Sequence, residues 1–555
     1  MKNLLRTILF TGIISLTLSS LAAQEKIPSG QYFAALTDRS TYVTGENIYF
    51  TSRQIDMTVY DTPCHVLYVD LLSPGGQVVK SGKYSINHRY SHGAIKIPEN
   101  IQSGTYYLRF YSKWLMNFSA RSMQYITVVV INPDIAAKIP PHGENDPEVI
   151  STSLEKLHKE SPQDFSIEIA KKKVNKRENV VFKISSAAQS DHLLNVSVFP
   201  DGSNNQSYMA PAKEFIPADQ VYHMPEISGI TLTGLLQDEN TEEPLKNEAV
   251  FLTLFGREGG FFPTHTNSQG RFEYSLPNFS GMQEVFLTPK AKGTNIQIDT
   301  DVHTGMIKLP FVPLKIDSSE NVRILTMARQ HQLYRDYFDD ADFLSDSAAL
   351  HQMSFFGEPY KTVVIENFID LPTLHDYFIE LLPEVQIKKS GEHLRLNISG
   401  PSAENDLIEP LVLIDGLALT DVKALLDIDP KRIRKIEVVN MPWIRGDNMF
   451  GGILSLSSAK GDFAGVDLPE SSSFFNYKMY HVETSFPQNN TPAEAYTPDV
   501  RNTLYWNPTL LLGKKNSKEI TFKAGDLPGK YIIRVCRIDH KGKIFSAEKS
   551  FIVED

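Results

Sequence analysis

The sequence has few cysteines and no excess of positive charge. Only Cys64 and Cys536 occur among 555 residues, nearly the whole chain apart, which excludes a disulfide scaffold. They form either two separate buried thiols or one long-range pair. With 55 Lys and Arg against 66 Asp and Glu, the net charge of -11 argues against nucleic acid as a partner, because no basic surplus is available for phosphates.

Long hydrophobic runs are missing after the start of the chain. Residues 1–23 have the pattern of a secretory signal peptide: Lys2 and Arg6 precede an apolar stretch, and Ala22 and Ala23 offer a small-residue cleavage site. No later segment reaches the roughly 18 consecutive apolar residues that indicate a membrane-spanning helix. We therefore expect an exported protein with no transmembrane segment of its own.

The sequence patterns of common catalytic and metal sites are also absent. The chain has no His-Glu-x-x-His, Cys-x-x-Cys, Gly-x-Ser-x-Gly or Walker-type loop, and its 15 histidines share no ligand spacing. The acidic cluster from Asp336 to Asp346 lacks the glycine turn and the distal glutamate of an EF-hand loop. The sequence therefore predicts no catalytic residue, cofactor or metal, and a protein that is not an enzyme. A hydrolase with an unrecognised site is the alternative.

The chain does contain many short strand-like runs separated by Gly and Pro turns. Its length calls for several domains, and 41% hydrophobic with 22% charged residues is ordinary for folded protein. We predict a mainly β, multidomain chain, with immunoglobulin-like β-sandwiches and one small α+β domain.

The first sandwich is predicted over residues 28–133. It carries the pattern D-R-x-x-Y-x-x-G-E-x-I from Asp38 to Ile48 and P-x-x-I-x-S-G-x-Y-x-L from Pro98 to Leu108. This pair resembles a macroglobulin-like domain of the α-2-macroglobulin family, and alternating strands indicate a second macroglobulin-like sandwich over 164–217. The thioester of macroglobulin protease traps needs Cys-x-x-Gln, which neither cysteine supplies, so covalent trapping is excluded.

Residues 226–302 form the next predicted sandwich. The run from Thr266 through Gly270 to Phe272 reads as a hairpin, because Asn, Gln and Gly tolerate a tight turn and Phe272 returns to the core. With Leu276 and Pro277, this segment resembles a carboxypeptidase regulatory-like domain. The resemblance implies an accessory β-sandwich without catalysis, of a kind that often precedes a plug domain.

The densest signal lies inside a domain predicted over residues 360–465. A buried strand ends in an Asp415-Gly416 turn, Asp421 caps a short helix, and two further strands flank a glycine-rich loop. The L-I-D-G motif at 413–416 and the segments 429–438 and 446–461 resemble the plug domain of TonB-dependent outer-membrane receptors. One departure is the run 441–445, Met-Pro-Trp-Ile-Arg, in place of the usual small residues.

Three segments complete the predicted organisation. They are a helical linker at 318–357, a loop-rich connector at 466–503 and a C-terminal β-sandwich at 504–555. In the last of these, Gly529 to Val535 echoes Gly104 to Phe110. Too few residues follow Asp462 for a receptor barrel of about 22 strands, so we expect a plug-like domain without a barrel of its own.

The best candidates for an interaction site lie in the glycine-rich loop of the plug-like domain. Aromatic residues and Met in such a loop suit a protein interface, although Trp443 can equally well fill the core of the domain. The predicted interaction residues are Trp443, Ile444, Arg445, Met449 and Phe450.

This set of domains resembles barrel-less plug proteins of Bacteroidota-type outer membranes. The resemblance implies a non-enzymatic accessory protein in the periplasm, on the outer membrane or at the cell surface. Its expected partner is an outer-membrane β-barrel or a multiprotein transport, secretion or assembly complex. The alternative is a periplasmic or surface protein that captures a protease, a peptide or a glycan through its macroglobulin-like sandwiches.

Overall fold

The computed structural model describes residues 31–555 with several gaps. The gaps are 57–63, 136–154, 157–164, 188–190, 204–206, 210–222, 257–258, 304–308, 310–325, 327–354, 391–392, 403–404, 406, 469–470, 493–497 and 500. The predicted signal peptide, the acidic cluster at 336–346 and most of the predicted linker at 318–357 lie outside the described residues.

The chain divides into two compact units. Unit 1 comprises Met1–Ile227, His303–Phe338 and Glu483–Asp555, and unit 2 comprises Ser228–Val302 and Asp339–Val482. Strands form most of the regular structure in several sheets, which confirms the predicted mainly β, multidomain fold class.

The strands of the first segment of unit 1 are β1 (Gln31–Thr37), β2 (Thr41–Val43), β3 (Asn47–Asp56), β4 (Val66–Leu72), β5 (Val78–Ser85), β6 (Tyr90–Lys96), β7 (Gly104–Tyr111), β8 (Gln124–Ile131), β9 (Glu155–Lys156), β10 (Phe165–Ile169), β11 (Lys173–Asn175), β12 (Asn179–Ser186), β13 (His192–Pro200) and β14 (Ser207–Met209). Unit 2 begins with β15 (Thr231–Asp238), β16 (Ala249–Leu254), β17 (Gly260–His265), β18 (Arg271–Ser275), β19 (Met282–Pro289) and β20 (Thr294–Ile298).

The second segment of unit 2 contains β21 (Lys361–Val364), β22 (Val385–Ser390), β23 (His393–Ile398), β24 (Leu411–Ile414), β25 (Leu417–Ala418), β26 (Ile433–Val439), β27 (Trp443–Arg445), β28 (Asn448–Phe450), β29 (Ile453–Ser458) and β30 (Ser473–Lys478). Unit 1 ends with β31 (Tyr505–Leu512), β32 (Ser517–Lys523), β33 (Gly529–Ile538) and β34 (Ile544–Glu554). The α-helices are α1 (Leu374–Leu381) and α2 (Val422–Leu426), and short 3-10 helices span Lys113–Asn117, Ala120–Ser122, Ile365–Asn367, Pro430–Arg432, Phe463–Gly465 and Pro487–Asn490.

The first sandwich of unit 1 packs a β1-β3-β6 sheet with a β5-β4-β7-β8-β14-β9 sheet, and β2 pairs parallel to β8. All seven residues of β4 are buried, so the strand has no alternation of apolar and polar residues, and its one charged member, Asp70, forms an ion pair of 2.6 Å with the buried Arg109. Phe50 lies edge-on to Tyr84 at 4.7 Å and to Phe110 at 5.5 Å between ring centroids. These aromatic contacts join the two sheets.

The second sandwich of unit 1 combines two parts of the chain that the sequence analysis assigned to separate modules. Its sheets are β10-β12-β32 and β11-β34-β33-β13-β31, so residues 165–200 and 505–554 share one core. The predictions of independent sandwiches at 164–217 and 504–555 are therefore wrong. The physical reason is that β10 and β12 alternate buried and exposed residues, and their apolar face has to be covered by strands from elsewhere.

Unit 2 contains a sandwich with sheets β18-β15-β20 and β17-β16-β19-β30. Its last strand, β30, comes from the predicted connector at 466–503, which is consequently not loop throughout. Residues 473–478 pair with β19 in antiparallel register, and the buried Tyr477 donates a hydrogen bond of 3.3 Å to the carbonyl oxygen of Thr231.

The domain predicted from the sequence to be plug-like, residues 360–465 of unit 2, has a sheet of order β21-β26-β29-β24-β25, in which β24 and β29 are parallel. Thr373 and Asp376 cap the start of α1 reciprocally, and Asp421 caps α2 as its sequence predicts. Both helices and the β22–β23 hairpin pack on one face of the sheet, where Tyr377, Phe378 and Leu425 meet Leu454 and Leu456.

The opposite face of the plug-like sheet packs on the neighbouring sandwich of unit 2. Leu411, Leu413 and Ile453 lie in one apolar cluster with Phe251 and Phe261. Because both faces of β24 are covered, its four residues are all buried, and the strand has no alternating pattern.

Candidate functional site

The five predicted interaction residues lie together on a two-stranded hairpin formed by β27 and β28. In this hairpin Trp443 pairs with Phe450, Ile444 with Met449, and Arg445 with Asn448. Gly446 begins the two-residue turn with φ of 57°, a conformation that a type II′ turn requires at this position and that glycine adopts without strain. The predicted loop is therefore a strand pair with two distinct faces.

One face of the hairpin points into unit 2 and is aromatic. The Trp443 ring lies 5.4 Å from that of Phe355, 5.9 Å from that of Phe450 and 6.3 Å from that of Phe261. The ring of Phe450 in turn lies 6.4 Å from that of Phe251. Trp443 and Phe450 are thus half-buried and anchor the hairpin. Trp443 packs against the core of unit 2, as the alternative prediction had it, and does not face solvent as an interaction residue would.

Arg445 and Asn448 fix the tip of the hairpin on the same inner face. The Arg445 guanidinium carbon stands 4.0 Å from the centre of the Phe262 ring, and burial lowers the pKa of this guanidinium. Asn448 donates a hydrogen bond of 3.2 Å from its amide nitrogen to the carbonyl oxygen of Pro263. Arg445 therefore helps to hold the tip of the hairpin in place through its contact with the Phe262 ring on β17.

The other face of the hairpin is apolar and open to solvent. Ile444 is 63% exposed, and its cross-strand neighbour Met449 is 37% exposed. Exposed aliphatic side chains directly opposite each other on a rigid strand pair form a small preformed apolar surface, which suits an interaction with another protein.

Two further exposed apolar residues flank the base of the hairpin. Met441, two positions before β27, is 52% exposed, and Leu407 is 77% exposed. The side chain of Asn405 links the segment that carries Leu407 to the base of the hairpin. Its amide nitrogen donates hydrogen bonds of 2.9 Å to the carbonyl oxygens of Asn440 and Gly451. We call Leu407, Met441, Ile444 and Met449 the hairpin surface.

Leu407 and the inner partners of the hairpin were not predicted from the sequence. Phe261 and Phe355 are far from Trp443 in sequence, and no local pattern links them. The alternation of side chains along a strand could have distinguished the two faces, because it places Ile444 on the face opposite to that of Trp443 and Arg445.

Gly451, immediately after β28, is needed for a close approach of backbones. A Cβ atom at this position would lie 2.3 Å from the carbonyl oxygen of Ile408 and 2.8 Å from that of Asn405. Only glycine therefore allows the segment 405–408 to pack beside the hairpin.

The L-I-D-G motif has a structural role. Asp415 adopts a left-handed conformation with φ of 47°, and its carboxylate accepts hydrogen bonds from Ser458 N (2.7 Å), Ser458 Oγ (2.6 Å) and Phe463 N (3.0 Å). The Gly416 carbonyl oxygen accepts a further hydrogen bond of 3.0 Å from Thr253. The motif thus joins the end of β24 to the end of β29 and to the adjacent sandwich.

The macroglobulin-like motif of unit 1 forms a buried ionic network. Arg39 lies 2.6 Å from Glu46 and 3.2 Å from Asp38, and Tyr42 donates a hydrogen bond of 2.7 Å to Asp38. Burial opposes the charge of Arg39, but Glu46 and Asp38 outweigh this and raise the pKa of its guanidinium. Thr503 hydrogen-bonds to both Asp38 and Arg39.

The same motif region faces the second sandwich of unit 1. Arg534 on β33 donates hydrogen bonds of 2.7 Å and 2.8 Å to the carbonyl oxygens of Thr37 and Asp38. An apolar cluster also joins the two sandwiches: it contains Ala34, Leu36, Ile55, Cys536, Ile538 and Ile544. Unit 1 is therefore a single two-sandwich body, in which the motif contributes to a buried internal interface.

Cys64 and Cys536 are both buried and form no disulfide with each other. Burial raises the pKa of the Cys536 thiol. Within the residues that the structure describes, no group of three or more His, Cys, Asp or Glu residues is arranged to hold a metal ion. The same residues include no helix with the length and apolar character needed to cross a membrane.

Comparison with known proteins gives only distant structural similarity. No protein-family model matches the chain, and no curated protein matches its sequence. Salmonella α-2-macroglobulin reacted with methylamine overlaps 95% of this chain and 40% of its own length, at 8% identity and a TM-score of 0.24. Trypsin-activated α-2-macroglobulin from Escherichia coli gives 8% identity, 95% and 42% coverage, and a TM-score of 0.24.

The D0-D1 domain of intimin overlaps 46% of this chain and 91% of its own length, at 9% identity and a TM-score of 0.13. The chain thus spans well under half of the macroglobulins that it overlaps. At these TM-scores the similarity carries no argument about activity or partners. The resemblance of residues 360–465 to a receptor plug domain stays a prediction from the sequence.

Proposed function

We propose that this protein is a non-enzymatic accessory protein of the outer membrane. It docks on a β-barrel or on a multiprotein transport, secretion or assembly complex through its plug-like domain. The observation that carries the proposal is the two-faced hairpin, in which Trp443 and Phe450 are anchored inward while Ile444 and Met449 face solvent.

The anchoring matters because it lowers the cost of binding. A flexible apolar loop would lose conformational entropy when a partner ordered it, whereas this hairpin is already held by ring contacts and by the Asn448 hydrogen bond. The free energy gained when a partner covers Ile444 and Met449 then does not have to offset the ordering of a flexible loop. A partner with a complementary apolar surface fits this site.

The location and the absence of catalysis belong to the same proposal. Export rests on the signal-peptide pattern of residues 1–23, and the outer-membrane location rests on the sequence resemblance to receptor plugs. A non-catalytic role is supported by the lack of recognisable catalytic motifs in the sequence.

A mild-detergent pull-down of the tagged full-length chain from its own membranes tests the proposal. The double variant Ile444→Ser/Met449→Ser removes the apolar pair without touching the inner face, and we expect it to lose a co-purifying β-barrel or complex subunit. Leu511→Ser is the matched control, because Leu511 is 61% exposed, nearly as much as Ile444, but lies in unit 1.

Two results would contradict docking through the hairpin. One is recovery of the same partner by the double variant, and the other is a chain that stays monomeric in the soluble fraction with no partner. The first would show that another surface docks the partner, and the second would leave capture of a protease, a peptide or a glycan by the macroglobulin-like sandwiches as the better account.

A further inference from the structure

Methionine side chains form half of the hairpin surface. Met449 lies directly opposite Ile444 in the hairpin and is 37% exposed, and Met441, two positions before β27, is 52% exposed. An oxidant dissolved in water therefore reaches these methionines far more readily than methionines in the cores. Four methionines in the described part of the chain are at most 3% exposed: Met116, Met123, Met209 and Met479.

The contacts that hold the hairpin in place come from residues other than these methionines. On the inner face, the ring of Trp443 lies 5.4 Å from that of Phe355. At the tip, Asn448 donates a hydrogen bond of 3.2 Å to the Pro263 carbonyl oxygen. A chemical change confined to the two methionines therefore alters the outer face of the hairpin and leaves its anchoring contacts in place.

Hydrogen peroxide converts methionine into methionine sulfoxide in one step. The S–O bond forms as the O–O bond of the peroxide breaks, and the other oxygen leaves with both hydrogens as water. The sulfur is oxidised by two electrons, and the peroxide is reduced by two. The thioether is apolar, whereas the sulfoxide oxygen is a polar hydrogen-bond acceptor. Covering that oxygen with an apolar partner surface is unfavourable, because its hydrogen bonds to water are lost.

We propose that oxidation of Met449 and Met441 releases the partner that docks on the hairpin surface, a regulation that rests on the docking role proposed above. Met449 contributes more, because it adjoins Ile444 in the preformed apolar pair. The oxidised chain remains folded, with a polar outer face on the hairpin. A dithiol-dependent reductase reverses the change: the sulfoxide returns to the thioether, the dithiol becomes a disulfide, and the oxygen leaves as water.

Peptide mapping by mass spectrometry tests the first step on the full-length chain treated with hydrogen peroxide. We expect Met441 and Met449 to be oxidised at least about tenfold faster than the buried Met123 and Met479. The oxidised chain should unfold at the temperature of the untreated chain. Oxidation of Met449 as slow as that of Met479 would overturn the proposal.

Photocrosslinking from a photoreactive amino acid at position 444, in intact cells, tests the second step. The measured quantity is the yield of the partner adduct after peroxide treatment divided by the yield before it. We expect this ratio to fall about tenfold below one in the parent chain, since both methionines of the surface become polar.

Two double variants show which methionines are responsible. Met441→Leu/Met449→Leu cannot form a sulfoxide, so its ratio should stay near one even though peroxide also reaches the partner. The matched control is Met224→Gln/Met282→Gln, because Met224 and Met282 are 52% and 51% exposed but lie outside the hairpin. Its ratio should fall as far as that of the parent.

The proposal is overturned if the ratio falls equally in the parent and in Met441→Leu/Met449→Leu, because the sensitive groups then lie elsewhere. It is also overturned if the parent ratio stays near one while peptide mapping shows Met449 sulfoxide. A parent chain that forms no adduct even before treatment gives a different result: it contradicts docking through the hairpin itself, and with it the regulation.

Discussion

Asn502 donates a hydrogen bond of 2.5 Å from its side-chain nitrogen to Oε1 of Glu46, a residue 456 positions earlier in the chain. The other oxygen of Glu46 accepts from Arg39 at 2.6 Å and from Val43 N at 2.7 Å. The glutamate of the macroglobulin-like motif therefore holds the segment that leads into β31. It contributes to joining the two sandwiches of unit 1.

Glu46→Gln should destabilise unit 1 by about 3 kcal/mol, because it leaves the buried Arg39 without one of its two carboxylate partners. Chemical denaturation with urea, followed by tryptophan fluorescence, measures the change. Glu178→Gln is the control, since Glu178 forms an ion pair of 2.7 Å with a well-exposed Lys171. Equal urea midpoints for Glu46→Gln and the parent would show that the network contributes nothing to stability.

Substitutions on the inner face of the hairpin should destabilise unit 2 far more than substitutions on its outer face. Trp443→Ser removes ring contacts with Phe355, Phe261 and Phe450 and should cost unit 2 about 3 kcal/mol. Ile444→Ser should change the free energy of unfolding by less than about 0.5 kcal/mol, since the side chain is mainly in water. Calorimetric unfolding of both variants checks this. Equal losses would mean that Ile444 is covered.

Asp415→Ala should destabilise the plug-like domain by about 3 kcal/mol, because three hydrogen bonds to the carboxylate are lost and alanine is strained at positive φ. Asp415→Asn should cost less, since asparagine tolerates the left-handed conformation and keeps one acceptor oxygen. Hydrogen exchange at Ser458 N and Phe463 N reports the loss directly. Unchanged protection in Asp415→Ala would contradict the structural role of the motif.

Loss of the proton from the buried Tyr125 hydroxyl should make unit 1 less stable in alkaline solution. Burial raises the pKa of Tyr125 to about 12, although Arg109 acts in the opposite direction, and the hydroxyl donates a hydrogen bond of 2.9 Å to the Ala120 carbonyl oxygen. An unfolded tyrosine loses its proton near pH 10. The folded state therefore keeps the proton longer, and its contribution is complete below about pH 10 and is lost as pH rises towards about 12.

The contribution of Tyr125 over this window is about 3 kcal/mol for a difference of about two pKa units. Urea denaturation at several pH values between about 9 and 12 should show a steep loss of stability in the parent and a shallower one in Tyr125→Phe. An equally steep loss in the variant would contradict the shielding of this hydroxyl.

Local patterns predicted the strands well, but not which strands share a sheet. The apolar run of β24 and the cap of α2 at Asp421 depend on neighbours in sequence. The pairing of β13 with β31 and β33 joins residues more than 300 positions apart, and that of β19 with β30 joins residues nearly 200 positions apart, and the sequence contains no local signal for either. For this reason the two half-sandwiches of unit 1 were predicted as separate domains.

The candidate site shows the same division between local and distant information. A glycine turn flanked by aromatic residues and Met marked the hairpin from sequence. The burial of Trp443 depends on Phe261 and Phe355, which other elements supply. The exposure of Ile444 follows from this placement, since successive residues of a strand point to opposite faces.

Site-specific photocrosslinking in intact cells tests docking through the hairpin most directly. A photoreactive amino acid replaces Ile444 in the full-length chain, and in a parallel strain it replaces Leu511. We expect position 444 to form an adduct with an outer-membrane β-barrel or a complex subunit, identified by mass spectrometry and lost when Met449→Glu is added, while position 511 forms none. No adduct from position 444, or the same adduct from both positions, would contradict the proposed docking.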